Sequence, residues 1–488
     1  MKSNRLVRRF SLTCLGSLAL PLAASASTVD LGPAVETALK VMKKEGKLLP
    51  VAKQTALAAQ APATQTPATQ TPAPAQDSNG RALPSPLSSP PFPGSDWLGT
   101  FVIGEPDSTP TYPLQKALFG NSLDKSHIKI YGYVDASYNY STSKHNNFPM
   151  TYDIVANHPE LDQLVVRVER PLDTVQTDHM DYGFRFSGLY GTDYRFTIGK
   201  GYLSDQLLKR NALYGFDPVE MYGLIYVPKV YQGMVIQYGR YISPPDIEAQ
   251  LAPQNYLFSH SLMFTVDPYT FTGVNATIRL SPYWQILFGA HGGNDMAPWE
   301  KSSQLNGELL ARWVSHDNND SIWGGINSLG AGKFRDEHDN LQHFVATWQH
   351  KFSEKYHMMT EGYYEFEYDA DQGGTVVDGP VEPYAGAGAG KRLPGRSDAT
   401  GLVNYFQILT SQKDYVSIRN DYLNDPRGFR TGFGTAYESW TVGYVRYLTP
   451  TIFVRPEVRY EHAYGATPYD NGTRRDQWSI AADIIMKF

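Results

Sequence analysis

The chain reads as all-β: a transmembrane antiparallel up-and-down β-barrel of about 16 strands, with about 14 or 18 as alternatives, behind a short helical and disordered N-terminal extension. Three observations predict this. They are the alternation at the C-terminus, the alternating lengths of the connections, and the confinement of charge to one strand face. Counting back from Phe488, the residues Met486, Ile484, Ala482, Ile480 and Trp478 are apolar. Lys487, Asp483 and Ser479 stand between them, Ala481 is small, and Ile485 is the one misfit. A period of two means a strand with two different environments. A strand of about 9–11 residues, apolar on one face and ending in an aromatic, suits a membrane barrel. The ends of soluble proteins more often fray. Phe488, Met486 and Trp478 are then the expected signal for barrel-assembly machinery.

Period-two segments begin near His127 and continue at 162–171, 182–190, 219–228, 232–242, 271–281, 283–292, 306–316, 321–329, 341–352, 356–369, 401–410, 415–423, 438–448, 451–462 and 477–488. Bacterial barrels carry short periplasmic turns and long external loops. Working back from Phe488, the connections alternate long and short in the required order as far as 191–218. Only 172–181 is long for a turn. The β-like runs 193–200 and 257–266 would break the parity, so they belong to loops.

The faces separate by charge. In 451–462, Arg455, Glu457, Arg459 and Glu461 alternate with Ile452, Val454, Pro456, Val458 and Tyr460. An Arg or Lys facing lipid at the bilayer midplane costs about 2–4 kcal/mol, so this face turns to the lumen. Pro456 removes a ladder hydrogen bond and predicts a bulge. Arg279 with Asn275 and Thr277, Arg419 and Asp421 with Ser417, and Glu361 and Glu365 with Glu367 and Asp369 mark lumen faces in the same way. The expected pore lining thus carries both signs of charge.

Residues 1–26 have the form of a signal peptide: Lys2, Arg5, Arg8 and Arg9, an apolar run from Leu12 to Leu22, then Ala24-Ser25-Ala26. Its removal takes the formal charge from −6, by the loss of those four positive charges, to −10, which disfavours a nucleic-acid partner. Cys14, the only cysteine, would leave with it, so disulfides and thiolate chemistry are excluded. Residues 27–60 read as a short periplasmic helix with a basic side (Lys40, Lys43, Lys44, Lys47), 61–96 as a Pro/Ala/Thr/Gln linker, and 97–126 as a pre-barrel segment leading into the barrel at 127–488. The expected location is the outer membrane of a Gram-negative-type bacterium, in contact with its lipid.

Residues 243–270 form a loop with its own apolar anchors, Tyr256-Leu-Phe and Leu262-Met-Phe264, after a predicted short helix at Pro244–Gln250. Such a loop folds inward rather than into solvent. Asp246 and Glu248 are then expected to face wall arginines such as Arg279, Arg419, Arg455 and Arg459, forming a constriction that favours small hydrophilic solutes.

Several segments resemble the putative β-barrel porin-2 (OmpL-like) family. They are Ile130-Tyr-Gly-Tyr-Val-Asp-Ala-Ser-Tyr138, Thr111-Tyr-Pro-Leu-Gln-Lys-Ala-Leu-Phe-Gly120, Val454-Arg-Pro-Glu-Val-Arg-Tyr460, and Gly239-Arg-Tyr-Ile with Asn255-Tyr-Leu-Phe-Ser-His. Ser243-Pro-Pro-Asp-Ile-Glu248 departs from the acidic stretch expected there. The resemblance implies an outer-membrane barrel with pore activity and carries no ligand residues across.

Two other readings stay open: a non-conducting barrel for adhesion or envelope tethering, and a barrel enzyme. For the enzyme, the nearest pair is His260-Ser261, but adjacent strand residues point to opposite faces. Gly386-Ala-Gly-Ala-Gly-Lys-Arg392 lacks the first Gly and the Ser/Thr of a phosphate loop. No cofactor is expected. Asp369-Ala-Asp371 and Asp317-Asn-Asn-Asp320 are candidate loop Ca2+ sites without the later ligands of an EF-hand. Homotrimer and monomer are both compatible with the sequence.

Overall fold

The computed structural model describes residues 100–107, 109–150, 152–374 and 390–488. The predicted signal peptide, basic helix and linker, and residues 386–389 of the glycine-rich motif, lie outside the described residues. Sixteen strands among the described residues form one closed antiparallel barrel. They are β1 (Lys129–Ser141), β2 (Pro159–Arg170), β3 (Asp181–Gly191), β4 (Gly215–Val227), β5 (Met234–Ile242), β6 (Thr270–Arg279), β7 (Trp284–Asn294), β8 (Asn306–Val314), β9 (Asp320–Leu329), β10 (Gln342–Ser353), β11 (Tyr356–Tyr368), β12 (Arg396–Ser411), β13 (Asp414–Asp425), β14 (Thr435–Thr449), β15 (Ile452–Ala463) and β16 (Asp476–Lys487). Each pairs with its sequence neighbours, so every connection is a hairpin. The short turns gather at one end and the long loops at the other. Runs 193–200 and 257–266 lie in loops, as parity requires.

β16 closes the ring against β1, from Tyr133 opposite Lys487 to Ser141 opposite Ser479. Phe488 extends the seam: its N–H donates to the Gly132 carbonyl at 2.9 Å and its carbonyl accepts from Gly132 N–H at 3.0 Å. Its ring lies over Gly132, where a Cβ would come within 2.9 Å of it. The misfit Ile485 faces inward and is fully buried against Phe453, Val445 and Tyr415. The lumen is therefore apolar on this side of the short-turn end, which explains the break in alternation. The outer face keeps large exposed apolar groups, among them Trp284, Phe288, Trp348, Phe406, Trp440 and Trp478, as a lipid-facing wall requires.

Two expectations fail locally. Pro456 marks no bulge, since Gly443 stays opposite Glu457 and Arg446 opposite Val454 in one register. The Pro is absorbed by omitting the ladder pairs beside it. The helix predicted at Pro244–Gln250 does not form, and only Ala252–Gln254 makes a single 3-10 turn. The N–H groups of Ile247, Glu248 and Ala249 donate instead to the side chains of Glu361, Asp246 and Asn255 at 3.0, 2.7 and 2.7 Å. Side-chain acceptors here outcompete helical carbonyls.

Candidate functional site: a loop seated on a charged wall

The wall is built by register. Arg419 on β13 stands opposite Tyr405 on β12 and Thr441 on β14, and Thr441 opposite Arg459 on β15. One rung toward the loops, Asp421 faces Ser439, and Ser439 faces Glu461. One rung toward the turns, Ser417 faces Gly443, Gly443 faces Glu457, and Arg455 then faces Asp483 on β16. Acidic and basic rungs therefore alternate along the lumen, so opposite charges meet along a strand, as Arg459 and Glu461 do, and across strands at Arg455 and Asp483. Arg455 binds both Asp483 oxygens through Nε at 3.0 and 3.1 Å, and Arg459 meets Glu461 at 2.8 Å.

The loop 243–269 lies on this wall. Arg419 and Arg459 are 0 % exposed and Glu457 is 3 % exposed, so this face meets the loop rather than water. Glu248 is the central loop carboxylate. Its Oε1 accepts from Tyr405 Oη at 2.6 Å and Ser261 N–H at 2.8 Å, and lies 3.4 Å from Arg419. The other wall charges bind the loop backbone. Glu457 accepts from Phe258 and Ser259 N–H at 3.0 and 3.1 Å, and Asp421 accepts from Leu262 N–H at 3.0 Å. Arg455 donates to the carbonyls of Ala252 and Asn255, both at 2.9 Å, and Arg459 donates to that of His260. A buried charge is tolerated only when paired and hydrogen-bonded, and each of these groups finds at least one such partner in the loop or the wall.

Glycines set how closely the loop can approach. A Cβ at Gly401 on β12 would lie 2.5 Å from Met263 Cγ, and one at Gly443 on β14 would collide with Leu257. Both positions face the lumen, and their lack of a side chain makes room for the loop's apolar anchors. Within the loop, the Asn255 side chain bridges the N–H and carbonyl of Ala249, both at 2.7 Å. His260 Nε2 lies 2.8 Å from the same carbonyl, so Nε2 carries the proton. Burial lowers the pKa of this imidazole to about 3 and keeps it neutral. Tyr152 and Phe264 pack on its ring, with centroids 4.2 and 4.5 Å away. No Ser-His-acid alignment exists at His260-Ser261, because the Ser261 hydroxyl donates to Glu248.

The structure brings some of the expected partners together and not others. Glu248 faces Arg419, but Asp246 sits among carboxylates: Asp267, Glu248 and Glu361. Arg279 lies apart, at the turn end, where it donates to the Ile103 carbonyl at 3.3 Å. Alternation places these residues on the inner face, but only the folded ring sets which strands oppose the loop. Glu365 lies 3.9 Å from Arg430, which also donates to the Val266 carbonyl at 3.0 Å. Arg430, Asp267, Tyr405 and Gln163, which donates to the Gln250 carbonyl at 2.7 Å, were missed from sequence. Inward glycines at 401 and 443 were the available signal. The candidate calcium carboxylates have local partners: Asp369 with Lys333, Asp371 with Arg392, and Asp317 with Ser315 and Asn319.

Burial raises the Asp246 carboxyl to about 7, despite a hydrogen bond with Asp267 that favours its charged form. In a released loop it keeps the ordinary value of 3.8. As pH rises through this window the released state ionises first, so seating weakens between about pH 4 and 7 and levels off above. Amide exchange across 243–269, corrected for its intrinsic pH dependence, is expected to accelerate from about pH 5 to 8. Asp246→Asn should flatten that rise, and an unchanged slope in the variant would contradict the assignment.

A family model described as putative β-barrel porin-2, OmpL-like, matches residues 127–488. No curated protein matches the sequence. Among solved structures, OprB of Pseudomonas putida at high pH is 11 % identical with a TM-score of 0.48, covering 77 % of this chain and 97 % of its own. An anion-selective porin from Comamonas acidovorans is 9 % identical with a TM-score of 0.46, over 74 % and 99 %. The outer membrane channel DcaP of Acinetobacter baumannii is 9 % identical with a TM-score of 0.42, over 74 % and 97 %.

Proposed function

Because the chain belongs to the putative β-barrel porin-2 (OmpL-like) family, we propose that it is an outer-membrane channel for passive diffusion of small hydrophilic solutes, with the loop 243–269 as its constriction. One observation carries the reading. A loop is held inside a barrel by a wall of alternating charge, so a polar solute passing it meets fixed dipoles and charges of both signs. In the state described, inner residues at mid-height are buried around the ring, for example Gln163, Gln237, Leu287, Trp323 and Val403. Passage therefore requires the loop to shift. The same burial favours a second reading, a non-conducting barrel in the envelope. Purified protein in planar bilayers decides between them: discrete open steps of nanosiemens order are expected, and silence over repeated insertions would leave the second reading.

A further inference from the structure

The segment ahead of the barrel does not hang free. Glu105 N–H donates to the Val102 carbonyl at 3.2 Å, a tight turn with Gly104 at φ +94°, and the turn lies inside the short-turn end of the lumen. Ile103 is 0 % exposed, among the inward-facing Tyr222, Leu224, Tyr226 and Val235. Phe101 packs edge-on against Tyr222, with centroids 6.4 Å apart. The Gln285 side chain reads the segment's backbone as a strand would: it accepts from Ile103 N–H at 3.3 Å and donates to the Phe101 carbonyl at 2.7 Å. Val102 packs against the lumen's main apolar cluster. A few residues on, the chain reaches β1, where Tyr112 stacks on Tyr131 at 5.2 Å and Gln115 accepts from Ile130 N–H at 2.8 Å.

The one turn too long for its side now has a role. Residues 171–180 fold over the segment, with Thr174 Oγ1 accepting from Gly104 N–H at 2.9 Å and the Gln176 carbonyl accepting from Tyr226 Oη at 3.0 Å. Gly233 completes the seat, since a Cβ there would lie 2.8 Å from Ile103.

We propose that Phe101–Gly104 is a plug that closes the short-turn mouth of the barrel, and that opening requires its withdrawal from the Ile103 pocket. The inference rests on the channel reading for its purpose, but not for its geometry. A wholly structural strap would not need a side-chain amide that reads its backbone.

The test uses the full chain with Cys14→Ser and a reporter, Val235→Cys, which lies behind Ile103. Labelling by a water-soluble maleimide is measured together with bilayer current, and heat-modifiable gel migration verifies the folded barrel. With Ile103→Asp, labelling is expected to rise at least tenfold over Ile103→Val, and the open fraction severalfold. Faster labelling without current would keep the plug and sink the channel reading. Labelling equal to that of Ile103→Val in a folded barrel would overturn the plug. If Ile103→Asp does not fold, Gln285→Ala, which removes two backbone hydrogen bonds without adding charge, is expected to raise labelling at least threefold. No rise there would overturn it equally.

Discussion

Arg419→Ala is expected to destabilise the seated loop by about 3–5 kcal/mol, because it leaves Glu248 and Asp421 buried beside a missing cation. The guanidinium also donates to Ser259 Oγ and Thr441 Oγ1, both at 3.0 Å, so a link between loop and wall disappears. A charge left without a partner costs more than removal of the whole pair. Arg419→Met with Glu248→Met should therefore recover part of the loss. The readout is amide exchange over 243–269 together with the heat-induced gel shift. Equal exchange in wild type and Arg419→Ala would show that the pair does not hold the loop.

Gly443→Leu should unseat the same loop by a different route. The new side chain must occupy the space of Leu257, and overpacking of this kind typically costs about 1–3 kcal/mol. Strain falls on the loop rather than the wall, because the wall is held by its ladder while the loop is held by side chains. Under the channel reading, single-channel conductance is expected to rise severalfold with the barrel intact. Unchanged conductance in a folded variant would place the limiting cross-section elsewhere.

The ring was legible in sequence because a membrane barrel repeats one rule. Faces alternate, lengths alternate, and parity corrects errors that propensity makes, as it did for 193–200 and 257–266. The inner placement of Arg419, Asp421, Arg455 and Glu457 followed from the same rule. Their partners did not, because opposition across a lumen depends on curvature and on the path of one irregular loop. The helix expected at Pro244–Gln250 was lost for that reason: its N–H groups meet Glu361 and Asn255, more than a hundred and about six residues away in the chain. Ile485 and the long turn at 172–181 stood out in the sequence. Both anomalies belong to the turn end of the lumen, where apolar side chains and the entering chain share the space.

The seam between β1 and β16 also constrains the order of assembly. Fourteen of the sixteen strands can find both partners through neighbouring hairpins, but the first and last meet only when the sheet has curved full circle. Until then two edges expose unpaired N–H and carbonyl groups, a costly state in hydrocarbon. The Gly132–Phe488 hydrogen bonds lie at the turn-side end of that joint. A chain shortened by its last strand would not be a slightly smaller barrel; it would be a sheet with two open edges and a gap in its lumen wall.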